Sequence, residues 1–426
     1  MFFCKACGNE FEKWNGRCPV CGEWGSLEEI SFSKENAGKG NFYSNTPPSM
    51  TLISGFRTKK ISRIKTHLSE FNRVVGGGIF PSSVTLLAGE PGIGKSTLML
   101  SICEEVSKGY KVSYFSGEES GEQLSEKLFR IGGTGERILF SPETNLSKIL
   151  THIKLEKPDF MVIDSFQTIS NNDGLSTISF FRNSVSEIVR SVKENNVSAF
   201  LIGHFTKSGD VAGPKLLEHM VDTVLTFSGE KNSDIRILKP KKNRFGSTDE
   251  VGFFRFSGSN FEEVKNPSEV FYDSEVKKPI GTTFSLVPEG ARVFLVDIET
   301  LAVKTSFGFP KRLAEGISQK RFEILLAALS KSGVPEVNYH DVYIKTKGGF
   351  RITDTFSDLA IVLSIYSAVK SKKLPENKSF IGELSLNGII SLPRDMEKRL
   401  KEARKYGINE NVINKKTFLY DLLEEL

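Results

Sequence analysis

Residues 89–97 are of the types that bind phosphate groups. The stretch reads Gly89-Glu90-Pro91-Gly92-Ile93-Gly94-Lys95-Ser96-Thr97. It matches G-x-x-x-x-G-K-S/T at every fixed position, between an apolar strand-like run and an amphipathic helical pattern. Glycines let backbone N–H groups face phosphate oxygens, and a helix N-terminus adds a favourable dipole. We expect Lys95 to reach the β- and γ-phosphates of ATP and Ser96 to supply a hydroxyl ligand to Mg²⁺. The alternative is a glycine-rich turn that binds no ligand.

Two acidic positions follow that could act on a bound triphosphate. Residues 111–116 predict a strand that leads to Glu118 and Glu119. A carboxylate there can polarise the attacking water, and Glu118 is the first choice for this role. Acidic residues in the first turn of a helix are an equal alternative from this motif alone. Residues 158–165 predict an apolar strand that ends in Asp164, a Walker B pattern whose carboxylate holds Mg²⁺ through water.

The remaining strands of this region predict the scaffold for these residues. Residues 198–203 predict a buried strand that ends at His204, which could sense the γ-phosphate, although a lone histidine is more often structural. Alternating strands and helices predict a doubly wound α/β core. The basic stretch 57–71 includes Arg63 and is compatible with either a solvated surface or a phosphate contact.

Four of the five cysteines lie near the N-terminus, in two C-x-x-C-G turns at Cys4, Cys7, Cys18 and Cys21. Two such turns can direct four thiolates at one metal, which suits structural Zn²⁺ in a rubredoxin-like knuckle. Disulfides or a redox pair are the alternatives, and two such pairs in a cytosolic chain argue against disulfides. Cys103 stands alone and is expected to be a core thiol.

Composition indicates a multidomain globular protein. The chain has 426 residues, 38% of them hydrophobic and 26% charged, with a net charge of +5. We expect two or three domains. There is no stretch of about 18 apolar residues and no signal-peptide pattern, so we expect a cytoplasmic protein without a membrane partner. The mild basicity only weakly suggests a polyanion partner.

Motifs in a fixed order resemble a known family. After the cysteine pairs and the phosphate-binding stretch come Ser116-Gly117-Glu118-Glu119-Ser120, Ala212-Gly213-Pro214-Lys215 and Lys242-Asn243-Arg244-Phe245-Gly246. In this order the chain resembles the RadA (Sms) family of bacterial DNA repair proteins over essentially its full length. The resemblance implies a RecA-like motor that forms hexameric rings on single-stranded and branched DNA. It implies ATP-driven branch migration of recombination intermediates, with the recombinase RecA as a partner.

The resemblance also implies roles for basic residues. Lys242 and Arg244 would reach the neighbouring subunit's nucleotide or contact DNA, because an arginine finger supplies positive charge to the transferred phosphate. A basic surface turn is the alternative. The loops at 168–182, with Phe180 and Phe181, and at 206–218, with Lys207 and Lys215, would face the central channel. Core packing of the two phenylalanines is at least an equal alternative.

The last third of the chain resembles the protease domain of Lon. That chemistry needs a serine nucleophile and a lysine base. The resemblance places Ser357 at the nucleophile position, but the base position falls on Arg399, which stays protonated. Lys401 lies on a different helix face. We therefore expect an inactive domain that serves as a ring-forming and DNA-binding scaffold. An active Lon-type peptidase and a nucleotide-switched DNA-binding scaffold are the rival functions.

The predicted fold is α/β throughout. We expect a four-cysteine zinc ribbon at 1–30 and a flexible linker at 31–50, where Ser, Asn, Gly, Lys and Pro predominate. A RecA-like P-loop ATPase core would occupy 51–268. An inactive Lon-protease-like α/β domain would occupy 269–426.

Overall fold

The computed structural model describes residues 2–4, 10–11, 13–19, 22–29, 52–56, 62–170, 178–204, 215–229, 234–258, 260–275, 277–306 and 308–426. Several predicted features lie outside these residues. They are Cys7, Cys21, Lys207, the linker at 31–50 and the side chains of His204 and Lys215.

A small antiparallel sheet forms the N-terminal unit. Its strands are β1 (Phe2–Cys4), β2 (Glu10–Phe11) and β3 (Leu27–Glu29), in the order β2-β1-β3. Cys4 and Cys18 are buried beside Leu27. The centre of this unit is therefore built from cysteines, as in metal-stabilised ribbons that are too small for an apolar core.

A nine-stranded sheet carries the phosphate-binding stretch. Its strands are β4 (Val84–Gly89), β5 (Val112–Ser116), β6 (Ile138–Ser141), β7 (Phe160–Asp164), β8 (Ser198–His204), β9 (Thr223–Ser228), β10 (Ile235–Asn243), β11 (Gly252–Phe256) and β12 (Phe261–Glu263). The order is β12-β11-β10-β9-β4-β8-β7-β5-β6. The pairs from β9 to β6 are parallel, and β10, β11 and β12 add antiparallel pairs. The carboxyl ends of the parallel strands therefore meet at one edge.

Helices cover both faces of this sheet. They are α1 (Ser69–Val74), α2 (Lys95–Val106), α3 (Gly121–Arg130), α4 (Leu146–Glu156), α5 (Ile178–Glu194) and α6 (Lys215–Met220). Apolar residues of α2 and α3 pack on one face, and those of α4, α5 and α6 pack on the other. A capping box between Ser120 and Gln123 fixes the start of α3. The doubly wound α/β prediction is confirmed.

A second α/β unit follows. Its main sheet is formed by β13 (Thr282–Glu289), β14 (Arg292–Lys304), β15 (Arg312–Glu315) and β16 (His340–Thr346), in the order β13-β14-β16-β15. Its short strands are β17 (Lys378–Ser379), β18 (Glu383–Leu384), β19 (Ile389–Ser391), β20 (Glu410–Asn411) and β21 (Thr417–Phe418). Its helices are α7 (Ser268–Phe271), α8 (Gln319–Lys331), α9 (Asp358–Lys370), α10 (Met396–Ala403) and α11 (Leu419–Glu425).

The two large units share apolar packing. Ile235 and Phe253 of the nine-stranded sheet, with Val251 just before β11, belong to the same hydrophobic cluster as β13, β14 and α9. Arg292 on β14 also forms an ion pair of 3.0 Å with buried Glu70 on α1. The predicted boundary at 268/269 therefore crosses a continuous core. No helix in the part of the chain that the structure describes is long and apolar enough to span a membrane.

Candidate ATPase active site

The phosphate-binding loop joins β4 directly to α2. Gly94 precedes the helix with φ +104°, a conformation that favours glycine. A Cβ atom added to Gly94 would lie 2.6 Å from the ring of Phe261 on β12. Both the backbone conformation and the neighbouring side chain therefore require glycine here.

Lys95 is folded back over this loop. Its side chain is buried, and Nζ donates hydrogen bonds to the carbonyl oxygens of Gly89 at 3.0 Å and Glu90 at 2.9 Å. Burial lowers the pKa of the Lys95 ammonium, while the negative charges of Asp164 and Glu118 oppose that shift. The ammonium thus lies near both predicted carboxylates.

Asp164 ends β7 beside Ser116, the last residue of β5. Its Oδ2 accepts a hydrogen bond of 2.7 Å from the hydroxyl of Tyr114, and its carboxylate is also hydrogen-bonded to Ser96. Burial raises the pKa of Asp164, and these two hydrogen bonds partly oppose the rise. A hydroxyl and a carboxylate in contact are the hard oxygen donors that Mg²⁺ prefers, so Ser96 and Asp164 fit a Mg²⁺ site.

Tyr114 belongs to the site, although no sequence pattern indicated it as a site residue. It lies in the interior of a strand, where its aromatic ring matched an ordinary core position. Its side chain is 1% exposed. Only the pairing of β5 with β7 reveals that its hydroxyl meets Asp164.

Glu118 and Glu119 point to different partners. Glu118 Oε1 accepts a hydrogen bond from the hydroxyl of Ser165, the residue after Asp164. Glu119 Oε1 forms an ion pair with Lys127 on α3. Glu118 therefore faces the Walker B strand, whereas Glu119 is held towards the neighbouring helix.

The turn that carries these carboxylates is tightly packed. A Cβ atom at Gly117 would lie 2.4 Å from Oγ1 of Thr168. Glycine before Glu118 therefore lets the end of β5 pass close to the segment that follows β7.

Lys242 and Arg244 also differ. Lys242 Nζ donates to three backbone carbonyls at the end of α6, those of Glu218 (2.9 Å), His219 (3.2 Å) and Val221 (2.7 Å). Burial lowers the pKa of the Lys242 ammonium. Lys242 therefore caps the carboxyl end of a helix within its own subunit.

Arg244 is the more accessible of the two basic residues. Its side chain is 53% exposed, and Nη1 lies 3.3 Å from Oδ1 of buried Asp222. Asp222 also accepts a hydrogen bond from Lys193. The exposed guanidinium is therefore held near the surface by a carboxylate that the core keeps in place.

The predicted DNA loops are only partly described. Phe180 and Phe181, at the start of α5, are half-buried and pack against the apolar cluster beneath α5. The ring of Phe181 lies 5.4 Å from that of Phe166. These contacts favour core packing for the two phenylalanines over base stacking. Lys207 and the side chain of Lys215 lie outside the described residues.

Of the four cysteines predicted to bind zinc, the structure describes Cys4 and Cys18. Both thiols are buried. Gly22 has φ +75°, and its N–H donates to the Cys18 carbonyl at 2.9 Å, which closes the turn after the second cysteine pair. Two buried thiols in one small cluster fit part of a structural Zn²⁺ ligand set. Among the described residues no three potential ligands cluster around a metal position, and Cys7 and Cys21 lie outside them. Cys103 is buried in the ATPase core, as expected.

Ser357 and Arg399 do meet in the C-terminal unit. Ser357 is fully buried, and its Oγ accepts a hydrogen bond of 2.7 Å from Ser285. Arg399 forms an ion pair of 2.6 Å with Asp354, which also accepts a hydrogen bond from Ser357. Burial favours a lower pKa for Arg399, but its bonds to Asp354 and Asp395 raise the pKa overall. The serine is therefore shielded, and its neighbour is a permanent cation.

Comparisons with known proteins found relatives over nearly the full length of the chain. A family model described as an AAA domain matches residues 53–210, and one described as a rubredoxin metal binding domain matches residues 2–29. The DNA repair protein RadA of Listeria monocytogenes is 40% identical over 97% of this chain and 92% of its own length. RadA of Bacillus subtilis is 39% identical over the same shares. RadA of Aquifex aeolicus is 36% identical over 97% of this chain and 93% of its own.

Two solved structures are similar to about half of this chain. A KaiC-like protein of Pyrococcus horikoshii is 19% identical, with a TM-score of 0.42, over 48% of this chain and 99% of that one. The ATPase domain of G40P is 14% identical, with a TM-score of 0.43, over 50% of this chain and 95% of that one.

Proposed function

The chain belongs to the RadA family of DNA repair proteins, and from that premise we propose that it is a DNA-stimulated ATPase that drives branch migration of recombination intermediates. One observation carries the proposal. Lys95, Glu118 and Asp164 come from three separate strand ends and interact at one edge of the parallel sheet. This is where nucleotides bind in open α/β sheets.

The side chains have separate roles in ATP hydrolysis. Ser96 and Asp164 would hold Mg²⁺, which neutralises charge on the phosphates when it is bound. Lys95 would exchange its bonds to the loop carbonyls for bonds to the β- and γ-phosphates. Glu118 would orient the attacking water and accept its proton, and the Ser165 hydroxyl holds that carboxylate in place.

Arg244 is our candidate for action across a subunit boundary. Its exposure supports this role, because a guanidinium must project from the surface of its own subunit to reach a neighbour's nucleotide. A finger of this kind makes hydrolysis depend on assembly and is worth about 10³–10⁵ in rate. We propose a homo-oligomeric, hexameric ring, in which Lys242 supports the same loop from inside the subunit.

The other modules complete the proposal. The loops at 168–182 and 206–218 would track the phosphates of single-stranded DNA in the ring channel. The N-terminal ribbon would bind Zn²⁺ and provide a surface for DNA or the recombinase RecA. The C-terminal unit would act as a scaffold and not as a peptidase. The burial of Ser357 and the ion pair of Arg399 support that assignment.

ATP turnover with and without single-stranded DNA, measured across a salt series, tests the proposal. We expect strong stimulation that fades as salt rises, because phosphate contacts release counterions. Lys95→Ala is the control for a contaminating ATPase, and this variant should show only background ATP turnover. If ATP turnover does not change with DNA but rises when unfolded polypeptide is added, the proposal is wrong and the peptidase function is favoured.

A further inference from the structure

Arg63, Phe80 and Phe245 form a three-layer stack beside the exposed Arg244. The rings of Phe80 and Phe245 lie parallel, with centroids 3.9 Å apart and an interplanar angle of 1°. The guanidinium of Arg63 lies 5.3 Å from the centroid of the Phe80 ring. Stacked rings and a cation over a ring attract each other and restrict sliding.

The guanidinium of Arg63 also ties two loops together. Its Nη2 donates to the carbonyl of Phe245 at 2.7 Å, and its Nη1 donates to the carbonyl of Gly78 at 3.3 Å. These bonds assign Arg63 an intrachain role, which separates it from the two alternatives considered for the basic stretch 57–71. Its planar fork directs donors at both loops in a fixed geometry, which the freely rotating ammonium of a lysine does not provide.

The backbones of the same two loops are in direct contact. A Cβ atom on Gly246 would lie 2.8 Å from Cα of Gly76, and one on Gly76 would lie 2.9 Å from the carbonyl oxygen of Phe245. On the other side of Arg244, Oδ1 of Asn243 accepts a hydrogen bond from the Phe245 N–H at 2.9 Å. The residues on both sides of Arg244 are therefore anchored while its own side chain remains exposed.

We propose that Arg63 and Phe80 are positioning residues that set the direction in which Arg244 leaves its loop towards the neighbouring subunit. This inference rests on the proposed role of Arg244 in trans. The physical basis is that a catalytic charge displaced by about 1 Å can lose about 10²-fold in rate. The hydrogen bonds and ring contacts given above for the stack lie within the two loops, so we expect nucleotide binding in the same subunit to be independent of it.

A double-mutant cycle in the full-length chain tests the inference. The variants are Arg244→Ala, Phe80→Ala and the double substitution, and the readouts are kcat and KM for ATP with single-stranded DNA. We expect Phe80→Ala to lower kcat by about 10–10²-fold with little change in KM. The double variant should be no slower than Arg244→Ala alone, because Phe80 acts only through Arg244.

Conservative variants separate positioning from folding. Phe80→Tyr keeps the stacked ring and should restore kcat. Arg63→Lys keeps the charge but loses the bond to one of the loops, so it should lower kcat as Phe80→Ala does. It replaces Phe80→Ala in the test if Phe80→Ala fails to fold. Phe309→Ala removes a ring that is 90% exposed in the C-terminal unit and is the control.

The outcomes distinguish a failure of the proposed Arg244 finger from a failure of the positioning role of Arg63 and Phe80. If Arg244→Ala hydrolyses ATP at the wild-type rate, the proposed finger is wrong. If Arg244→Ala is slow but the folded Phe80→Ala and Arg63→Lys variants keep full kcat, the positioning role is wrong. Additive losses in the double variant would also overturn it.

Discussion

The hydroxyl of Tyr114 donates a hydrogen bond of 2.7 Å to Oδ2 of Asp164, and both side chains are buried. Burial and the neighbouring Asp164 raise the pKa of Tyr114 well above its ordinary value, so the phenol stays protonated and remains a donor. The bond therefore fixes the orientation of the Walker B carboxylate before any ligand binds.

Tyr114→Phe is expected to raise the Mg²⁺ concentration needed for half-maximal ATP turnover, because the carboxylate loses its fixed orientation. Partners outside the first ligand shell are typically worth 10- to 100-fold in metal affinity, which gives the scale of the shift. Saturating Mg²⁺ should recover most of the turnover. Tyr110→Phe, at an exposed tyrosine before β5, is the matched control. An unchanged Mg²⁺ titration would contradict the role of the hydroxyl.

Glu118→Gln is expected to lower kcat by about 10²–10⁴-fold, since an amide cannot accept the proton of the attacking water. Nucleotide affinity, measured with a fluorescent ATP analogue, should change little. Glu119→Gln should have a much smaller effect on kcat, because Glu119 is paired with Lys127. If the two variants exchanged these phenotypes, Glu119 would be the base.

Lys242→Ala and Arg244→Ala are expected to differ in thermal denaturation. Loss of Lys242 removes the donor to three carbonyls at the end of α6, at about 0.5–1.5 kcal/mol for each lost hydrogen bond. Arg244 is half-exposed, so its loss should leave Tm nearly unchanged while it abolishes DNA-coupled work. Equal Tm values for both variants would contradict the helix-capping role of Lys242.

Zinc content is expected to depend on the N-terminal cysteines. Purified protein should release close to one equivalent of zinc per chain, and Cys4→Ser or Cys18→Ser should lower that amount strongly. Cys103→Ser is the control, since this buried thiol lies in the ATPase core. Full zinc retention by Cys4→Ser would exclude the predicted site. A chromogenic chelator after thiol oxidation measures the release.

Local patterns were sufficient to predict the phosphate-binding loop and the Walker B strand. In both cases the chemistry is carried by residues that are adjacent in the chain. Tyr114 was missed because its hydroxyl contacts Asp164 on the neighbouring strand, a contact between residues that are far apart in the sequence. In addition, a tyrosine in an apolar strand pattern is interpreted as a core residue. The sequence favoured Glu118 over Glu119, but their different contacts, with Ser165 and with Lys127, are ones that no spacing rule predicts.

The stack was beyond sequence reasoning for the same reason. Arg63 and Phe245 are 182 positions apart, and nothing near either residue indicates the other. The available signal was glycine itself, at Gly76–Gly78 and at Gly246, because successive glycines often mark a close approach of two backbones. Lys242 was interpreted through its charge, and its three carbonyl partners became visible only with the end of α6 in place.

The apolar cluster that joins Ile235, Val251 and Phe253 to β13, β14 and α9 has a consequence for cooperativity. Because the two units share this cluster, we expect them to melt together, since unfolding the C-terminal unit would expose Ile235, Val251 and Phe253 to water. Calorimetry should therefore give one transition for both. Truncation after residue 268 would leave Phe253 uncovered, and the resulting fragment should aggregate instead of behaving as an independent ATPase.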